Sequence, residues 1–205
     1  MTRLVTLTLA ALLTLPALAA PLNGIQIEPE SNEAGYKRSL YKLWIDADSD
    51  GQDSRQEVLI EVSLIGLTFD FNGKVSGGLW VGPYCGFIPT NPSELDIDHM
   101  VPLKEAHVSG GHAWTPEKRQ DYANGLTAAH HLIAVKGGCN RSKQDHDPAE
   151  WMPPNRTYWC TYLEDWIAIK EQWEVSMDQA EAGAIMTGLK VCDNYNAGDS
   201  PSGRH

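Results

Sequence analysis

The sequence predicts an α+β fold, and three observations predict it. Leu95 to Met100 alternates, with Leu95, Ile97 and His99 on one face and Asp96, Asp98 and Met100 on the other, before Pro102 ends regular pairing. A second apolar run, Leu132 to Val135, stops at Gly137-Gly138 and leads into Asn140-Arg141-Ser142-Lys143, where Asn140 can start a helix whose next turn carries Lys143. Further on, Trp159, Leu163, Trp166, Ile167, Lys170 and Trp173 recur at helical spacing, and Ser176 with Gln179 forms a capping-box pattern before Ala180, Ala184, Ile185 and Leu189. Strand, loop, strand and helix, followed by two longer helices, make up the α+β order, with 94–151 at its centre.

From its start, the chain opens as a secretory signal over residues 1–19: Arg3, an apolar run from Leu4 to Leu15, then Pro16 and the small-residue cleavage site Ala17-Leu18-Ala19. That run is too short to span a membrane, and no later segment resembles a transmembrane helix; an uncleaved anchor is the alternative. Residues 20–193 fit one domain, expected to be a monomer, and the small polar tail 194–205 is expected to be disordered. Only Arg3 is charged in the signal, so its loss takes the formal charge from −11 to −12. That balance excludes a protein that holds nucleic acid by charge alone. Between Glu94 and Tyr158, however, seven Lys or Arg face nine Asp or Glu, so this segment is nearly neutral.

Tyr36, Leu40, Tyr41 and Trp44 predict a short helix on the core. Next, Asp46, Asp48, Asp50, Gly51 and Glu57 match the carboxylate and glycine positions of a twelve-residue calcium loop, although Asp53 takes its usually apolar eighth position. The loop is a candidate Ca²⁺ site, or else an acidic surface turn neutralised by Arg55. Val58 to Phe71 suits strand or helix. Asn72-Gly73 signals a hairpin whose second strand returns from Lys74-Val75 to Trp80-Val81. Thr115-Pro116-Glu117-Lys118 starts a helix. His107, His112, His130 and His131 match no zinc-ligand spacing and have no Cys-x-x-Cys beside them, so they are read as surface or loop histidines. The tryptophans of the C-terminal helices are read as core, not as a base-stacking platform.

Singly, an Asp-His pair, an Asn at a helix start and a Lys one turn on are unremarkable features. In this order, Asp98-His99 followed by Asn140-Arg141-Ser142-Lys143 resembles the HNH endonucleases, the ββα-metal or His-Me finger group. Asp147-Pro148, Trp151, Cys160 and Cys192, and the acidic loop followed by Ser54-Arg55-Gln56-Glu57, are similar to secreted bacterial members; the resemblance covers most of residues 34–192. It implies a ββα-metal core, His99 as the general base, Asp98 and Asn140 as ligands of one Mg²⁺ or Mn²⁺, and Lys143 with Arg141 facing a phosphate. The middle Asn of the pattern, which pins the loop and orients the base, is replaced by His131, nine residues before Asn140. His131 and Asn124 are both candidates for that role.

These residue types suit phosphodiester hydrolysis. Phosphate charge repels hydroxide and the alkoxide leaves poorly, so a cation on the phosphate and leaving oxygens lowers the barrier. Oxygen ligands suit Mg²⁺ or Mn²⁺, and an imidazole with an ordinary pKa of about 6.5 can accept the water proton. The expected substrate is DNA, with RNA an option, and no base-reading module is visible. The rivals are a non-catalytic Ca²⁺-stabilised secreted protein and a zinc hydrolase using His112 or His130.

Four cysteines permit three pairings. Antiparallel C-terminal helices would set Cys160 beside Cys192, leaving Cys85 for Cys139, an arrangement that an oxidising compartment allows. Members of the resembling family commonly carry a further pair between the acidic loop and the hairpin, where Gln52 and Lys74 stand here.

Overall fold

The computed structural model describes residues 22, 24–31, 33–126 and 130–198. The predicted signal, 1–19, lies outside them. The lead-in carries only 3-10 turns at Glu33–Gly35 and Arg38–Leu40 in place of the predicted helix, and Trp44 adopts φ 55°. Contacts to the rest of the chain override its helical spacing: Tyr41 is buried with its hydroxyl on His107 Nδ1 (3.3 Å), and the Ile45 amide donates to Asn124 Oδ1 (3.0 Å).

After the acidic loop, Asp53 accepts the Gln56 amide and so caps α1 (Ser54–Glu61), which explains the carboxylate at the unexpected eighth loop position. That cap also settles the ambiguous stretch: Val58 and Leu59 are buried on α1, and only its far end joins β1 (Thr68–Phe69). β1 pairs antiparallel with β2 (Val75–Gly77) through the expected Asn72-Gly73 turn, where Gly73 has φ 77°. The return strand ends short of Trp80, whose indole turns inward to donate to the Leu59 carbonyl (2.8 Å).

β3 (Leu95–His99) is followed by α2 (Leu103–Val108) and α3 (Pro116–Asn124), and then by β4 (Leu132–Lys136), which pairs antiparallel with β3 from Leu95 opposite Lys136 to His99 opposite Leu132. β4 runs without a loop into α4 (Gly137–Lys143). The ribbon is covered on both sides, which is why β4 is apolar on both of its faces, while β3 carries Asp96 and Asp98 on one of them. Leu95, Ile97, Leu132 and Ala134 pack with Val58, Leu59 and Trp80, whereas Ile133 and Val135 join the core of Tyr162, Leu163 and Trp166.

α5 (Trp159–Trp173) and α6 (Gln179–Gly198) form the C-terminal hairpin, bridged by Cys160–Cys192 (Cα–Cα 5.7 Å), and Cys85 pairs with Cys139 (6.4 Å); both pairings are as expected. The capping box sits later than predicted: Asp178 accepts the Glu181 amide (2.8 Å) while Glu181 accepts the Asp178 amide (3.3 Å). Helical backbone continues to Gly198, past the predicted start of the tail at 194, and positions 199–205 lie outside the described residues. Trp166 is fully buried in the core and Trp173 packs against it, whereas Trp159 is half-buried beneath Arg156 and outside the core clusters.

Lys170 joins α5 to α2 and α6. Its buried ammonium meets Glu105 Oε1 (2.5 Å), the Glu181 carboxylate (2.8 Å), Ser109 Oγ (3.0 Å) and the Ser176 carbonyl (2.9 Å). One ammonium thus serves two carboxylates, and Glu30 adds a third beside Glu105. Burial, followed for Glu30 by repulsion from Glu105, pushes both Glu30 and Glu181 from the ordinary 4.5 up to about 7. Between these values the folded chain binds more protons than the unfolded one, so this contribution to stability is fully present below about 4.5 and lost as pH rises through about 7. Buried His99 and His131, held neutral, act in the opposite direction but equally in wild type and Glu30→Gln. The wild-type urea midpoint measured relative to that of Glu30→Gln should therefore fall over that window, and a difference that does not change with pH would refute the assignment.

Candidate active site

Where β3 ends and α4 begins, a cleft of about 320 Å³ brings Asp98, His99 and Asn140 onto one wall system. His99 is buried and its Nε2 lies 3.0 Å from the Ala123 carbonyl. A carbonyl only accepts, so the proton of the neutral ring is on Nε2 and Nδ1 keeps its lone pair. Burial, then the neighbouring His131, push the ring down to about 3, against the Ala123 bond. The ring stacks on Tyr122 (6.2 Å, 13°) and leans on Trp44 (6.1 Å), so its plane is set by packing.

Asp98 points toward the other face of the ribbon. Its Oδ2 accepts from Tyr84 Oη (2.9 Å) and from the Lys143 ammonium (2.8 Å), which also donates to the His99 carbonyl (3.1 Å). Burial pushes its carboxyl up, opposed by Lys143 and Tyr84. Asn140 lies in the second turn of α4, not at its cap as predicted, because the helix starts at Gly137 directly from β4. Its Nδ2 donates to Asp96 Oδ2 (3.2 Å). Among the described residues, Oδ1 of Asp98 and Oδ1 of Asn140 have no protein partner, so two hard oxygen donors remain on one cleft. That donor set fits Mg²⁺ or Mn²⁺ with water completing the shell.

Lys143 does not face a phosphate. Its side chain is fully buried beneath the cleft, since Asp98 and the His99 carbonyl offer the partners that a buried ammonium requires. Arg141 remains exposed on α4, close to Gly137, where an added Cβ would meet Arg141 Nη1 at 3.1 Å and Asp96 Oδ2 at 3.2 Å. Tyr84, Asp96 and the Ala123 carbonyl were not singled out from sequence. No spacing rule marks them, and only the fold brings them to the site.

The two candidates for the middle position lie behind His99. Asn124 uses its full hydrogen-bonding capacity as a clamp: Oδ1 accepts from the Ile45 amide (3.0 Å) and Ser54 Oγ (2.8 Å), and Nδ2 donates to the Lys42 (2.6 Å) and Gln120 (2.8 Å) carbonyls. It pins the lead-in to the end of α3, one residue from the carbonyl that orients His99. His131 donates from Nε2 to the Tyr122 carbonyl (2.6 Å) and meets His99 edge to face at 6.0 Å; burial pushes its pKa down to about 4.

In the acidic loop the carboxylates of Asp46, Asp48 and Asp50 are exposed and offer oxygens within 4.8 Å of one another, and Glu57 lies outside that group. Burial, then the loop carboxylates, raise the Glu57 pKa. At the two positions where the resemblance implied a further cystine, Gln52 Nε2 donates to the Gly73 carbonyl (2.8 Å) and Lys74 Nζ to the Gly51 carbonyl (2.7 Å), tying loop to hairpin by hydrogen bonds. His107, expected at the surface or in a loop, is buried on α2 against Tyr41, and His130 pairs with Asp165 (2.5 Å). The groups of metal-type ligands found among the described residues contain no histidine.

Two comparisons bear on this geometry. The family described as GmrSD restriction endonucleases, C-terminal domain, matches residues 32–187. A protein of Arthroderma benhamiae named as an uncharacterized secreted protein is 35% identical over 171 residues, which cover 83% of this chain and 82% of that protein. That relative is fungal, whereas the sequence resemblance pointed to bacterial proteins. No solved structure matches the chain significantly.

Lys143→Met should lower stability by about 3–5 kcal/mol in urea unfolding, since it strands the Asp98 carboxylate without its cation. Arg141→Ala should change stability by less than about 0.5 kcal/mol. Equal small effects would mean that Lys143 is not the buried partner described above.

Proposed function

The chain belongs to the family of GmrSD restriction-endonuclease C-terminal domains, and from that premise we propose that it is a secreted, metal-dependent HNH endonuclease with a ββα-metal core. It hydrolyses phosphodiester bonds in DNA, and in RNA as a second substrate, with low sequence specificity. The observation that carries this reading is His99: a neutral imidazole, its Nε2 spent on the Ala123 carbonyl, in a cleft whose walls also hold the unspent oxygens of Asp98 and Asn140. The antiparallel β3–β4 pair running directly into α4 supports the ββα assignment.

In this mechanism His99 Nδ1 takes the proton of the attacking water, and the Ala123 carbonyl keeps the ring in the tautomer that can do so. Lys143 holds Asp98 and the end of β3 in place, while Asp96 orients the Asn140 amide so that its oxygen is free. Mg²⁺ or Mn²⁺ held by Asp98 and Asn140 would supply Lewis-acid stabilisation of phosphate and leaving-oxygen charge. An acidic chain without a base-reading module favours turnover over tight retention.

Secretion is supported by the name of the fungal relative and by two disulfides, which oxidising compartments favour. No helix among the described residues is long and apolar enough to cross a membrane. The acidic loop would hold Ca²⁺ as a structural ion through Asp46, Asp48 and Asp50. Added Ca²⁺ should then raise the thermal midpoint of the wild type and leave that of Asp48→Asn unchanged.

The direct test is cleavage of plasmid and single-stranded DNA by the purified oxidised protein with Mg²⁺, Mn²⁺, Ca²⁺ or EDTA. Cutting should require metal, and His99→Ala should lose about 10²–10⁴-fold. Cutting that survives in folded His99→Ala would overturn the assigned base, and no cutting of DNA or RNA with any metal would overturn the nuclease reading.

A further inference from the structure

We infer that Arg38 is the residue that grips a backbone phosphate of the bound strand at the cleft, an inference that rests on the nuclease reading above. The 3-10 turns of the lead-in lay Tyr36 and Arg38 against the same cleft that holds His99 and Asn140. This segment is anchored on both sides of Arg38. The Ser31 amide donates to the Val108 carbonyl (2.9 Å), Tyr41 is buried against His107, and the Ile45 amide is bound by Asn124. Arg38 is therefore an exposed side chain on a held backbone.

The other cations near the cleft are already committed. The Lys143 ammonium is buried against Asp98, and Lys104 is held at 2.8 Å by both Glu33 and Asp145. Arg141 does not line the cleft, its guanidinium lying over Gly137 on the side of Asp96. Among the described residues no carboxylate pairs with Arg38, whose charge partly offsets the rise that burial gives the Tyr36 hydroxyl. Its charge also reaches His99, where it disfavours the protonated ring.

A phosphodiester presents two non-bridging oxygens and one negative charge, which a guanidinium meets with two parallel N–H donors. An acidic chain must place positive charge where the strand enters, and Arg38 does so beside the imidazole that activates water. Tyr36 lines the cleft two residues before Arg38. Lysine at this position would keep the charge and lose the two-pronged bond.

The test uses the full oxidised chain. Cleavage kinetics compare wild type, Arg38→Ala and Arg38→Lys, and fluorescence anisotropy with a labelled single-stranded oligonucleotide compares His99→Ala with His99→Ala/Arg38→Ala in Ca²⁺ across a salt series. Arg38→Ala should raise KM about tenfold with little change in kcat, and the double variant should bind about tenfold more weakly with a salt slope smaller by about 0.7. Arg38→Lys should recover the slope and part of the KM. Matching urea midpoints confirm that the exposed substitution leaves the fold intact. If the wild type cuts while Arg38→Ala equals it in KM and salt slope, the Arg38 assignment falls and the nuclease reading stands. If the wild type cuts nothing with any metal, both fall.

Discussion

One buried ammonium holds the centre of this molecule together. Lys143 leaves the last turn of α4 and ends between the Asp98 carboxylate and the His99 carbonyl, so the helix cannot move relative to β3 without stranding charge in the core. The same helix follows β4 with no loop between them and is tied by Cys139 to the approach segment at Cys85. Asn140 is thus placed from three directions: by the strand before it, the disulfide beside it and the ion pair after it. A pair of this kind contributes little net energy over an apolar contact, yet it specifies one geometry, because every alternative leaves a charge unsatisfied.

The hairpin above that pair works because it is covered on both faces. Asp98 and His99 are adjacent in sequence and point apart, so each draws its support from a different layer: Tyr84 and α4 on one side, Trp44 and the end of α3 on the other. Dry surroundings keep His99 neutral, and the Ala123 carbonyl sets its tautomer. Asn124 spends its hydrogen bonds on the lead-in and on α3, fixing the helix end that carries this carbonyl, and His131 meets the ring edge to face.

Charge is distributed by the same logic. Along the cleft the cations are paired with carboxylates except at Arg38, while the excess negative charge lies in the acidic loop and around Lys170. The acidic loop is tethered by Gln52 and Lys74 through hydrogen bonds to the hairpin, which substitute for a covalent bridge between the same two segments. Membership of the GmrSD restriction-endonuclease family agrees with a nuclease.

Sequence by itself determined what depends on neighbours along the chain. The alternation at Leu95–His99, the Asn72-Gly73 turn, the helical spacing from Trp159 and the Asp98, His99 and Asn140 order were all legible, because pleat, turn and helix are set by local φ/ψ preferences and side-chain periodicity. Both disulfide pairings followed once the two C-terminal helices were set antiparallel. Only the tertiary structure decided what depends on burial. Lys143, expected to face a phosphate, is enclosed once strand and helix close over it, and Tyr36 to Trp44 reads as a helix until Tyr41 and Ile45 find partners on α2 and α3. Asn124 and His131 remain equivalent on paper until their distances to His99 are known. Arg38, 61 positions before His99, becomes part of the cleft only when the lead-in is folded across it, since no local pattern records which distant cation will be left without a carboxylate.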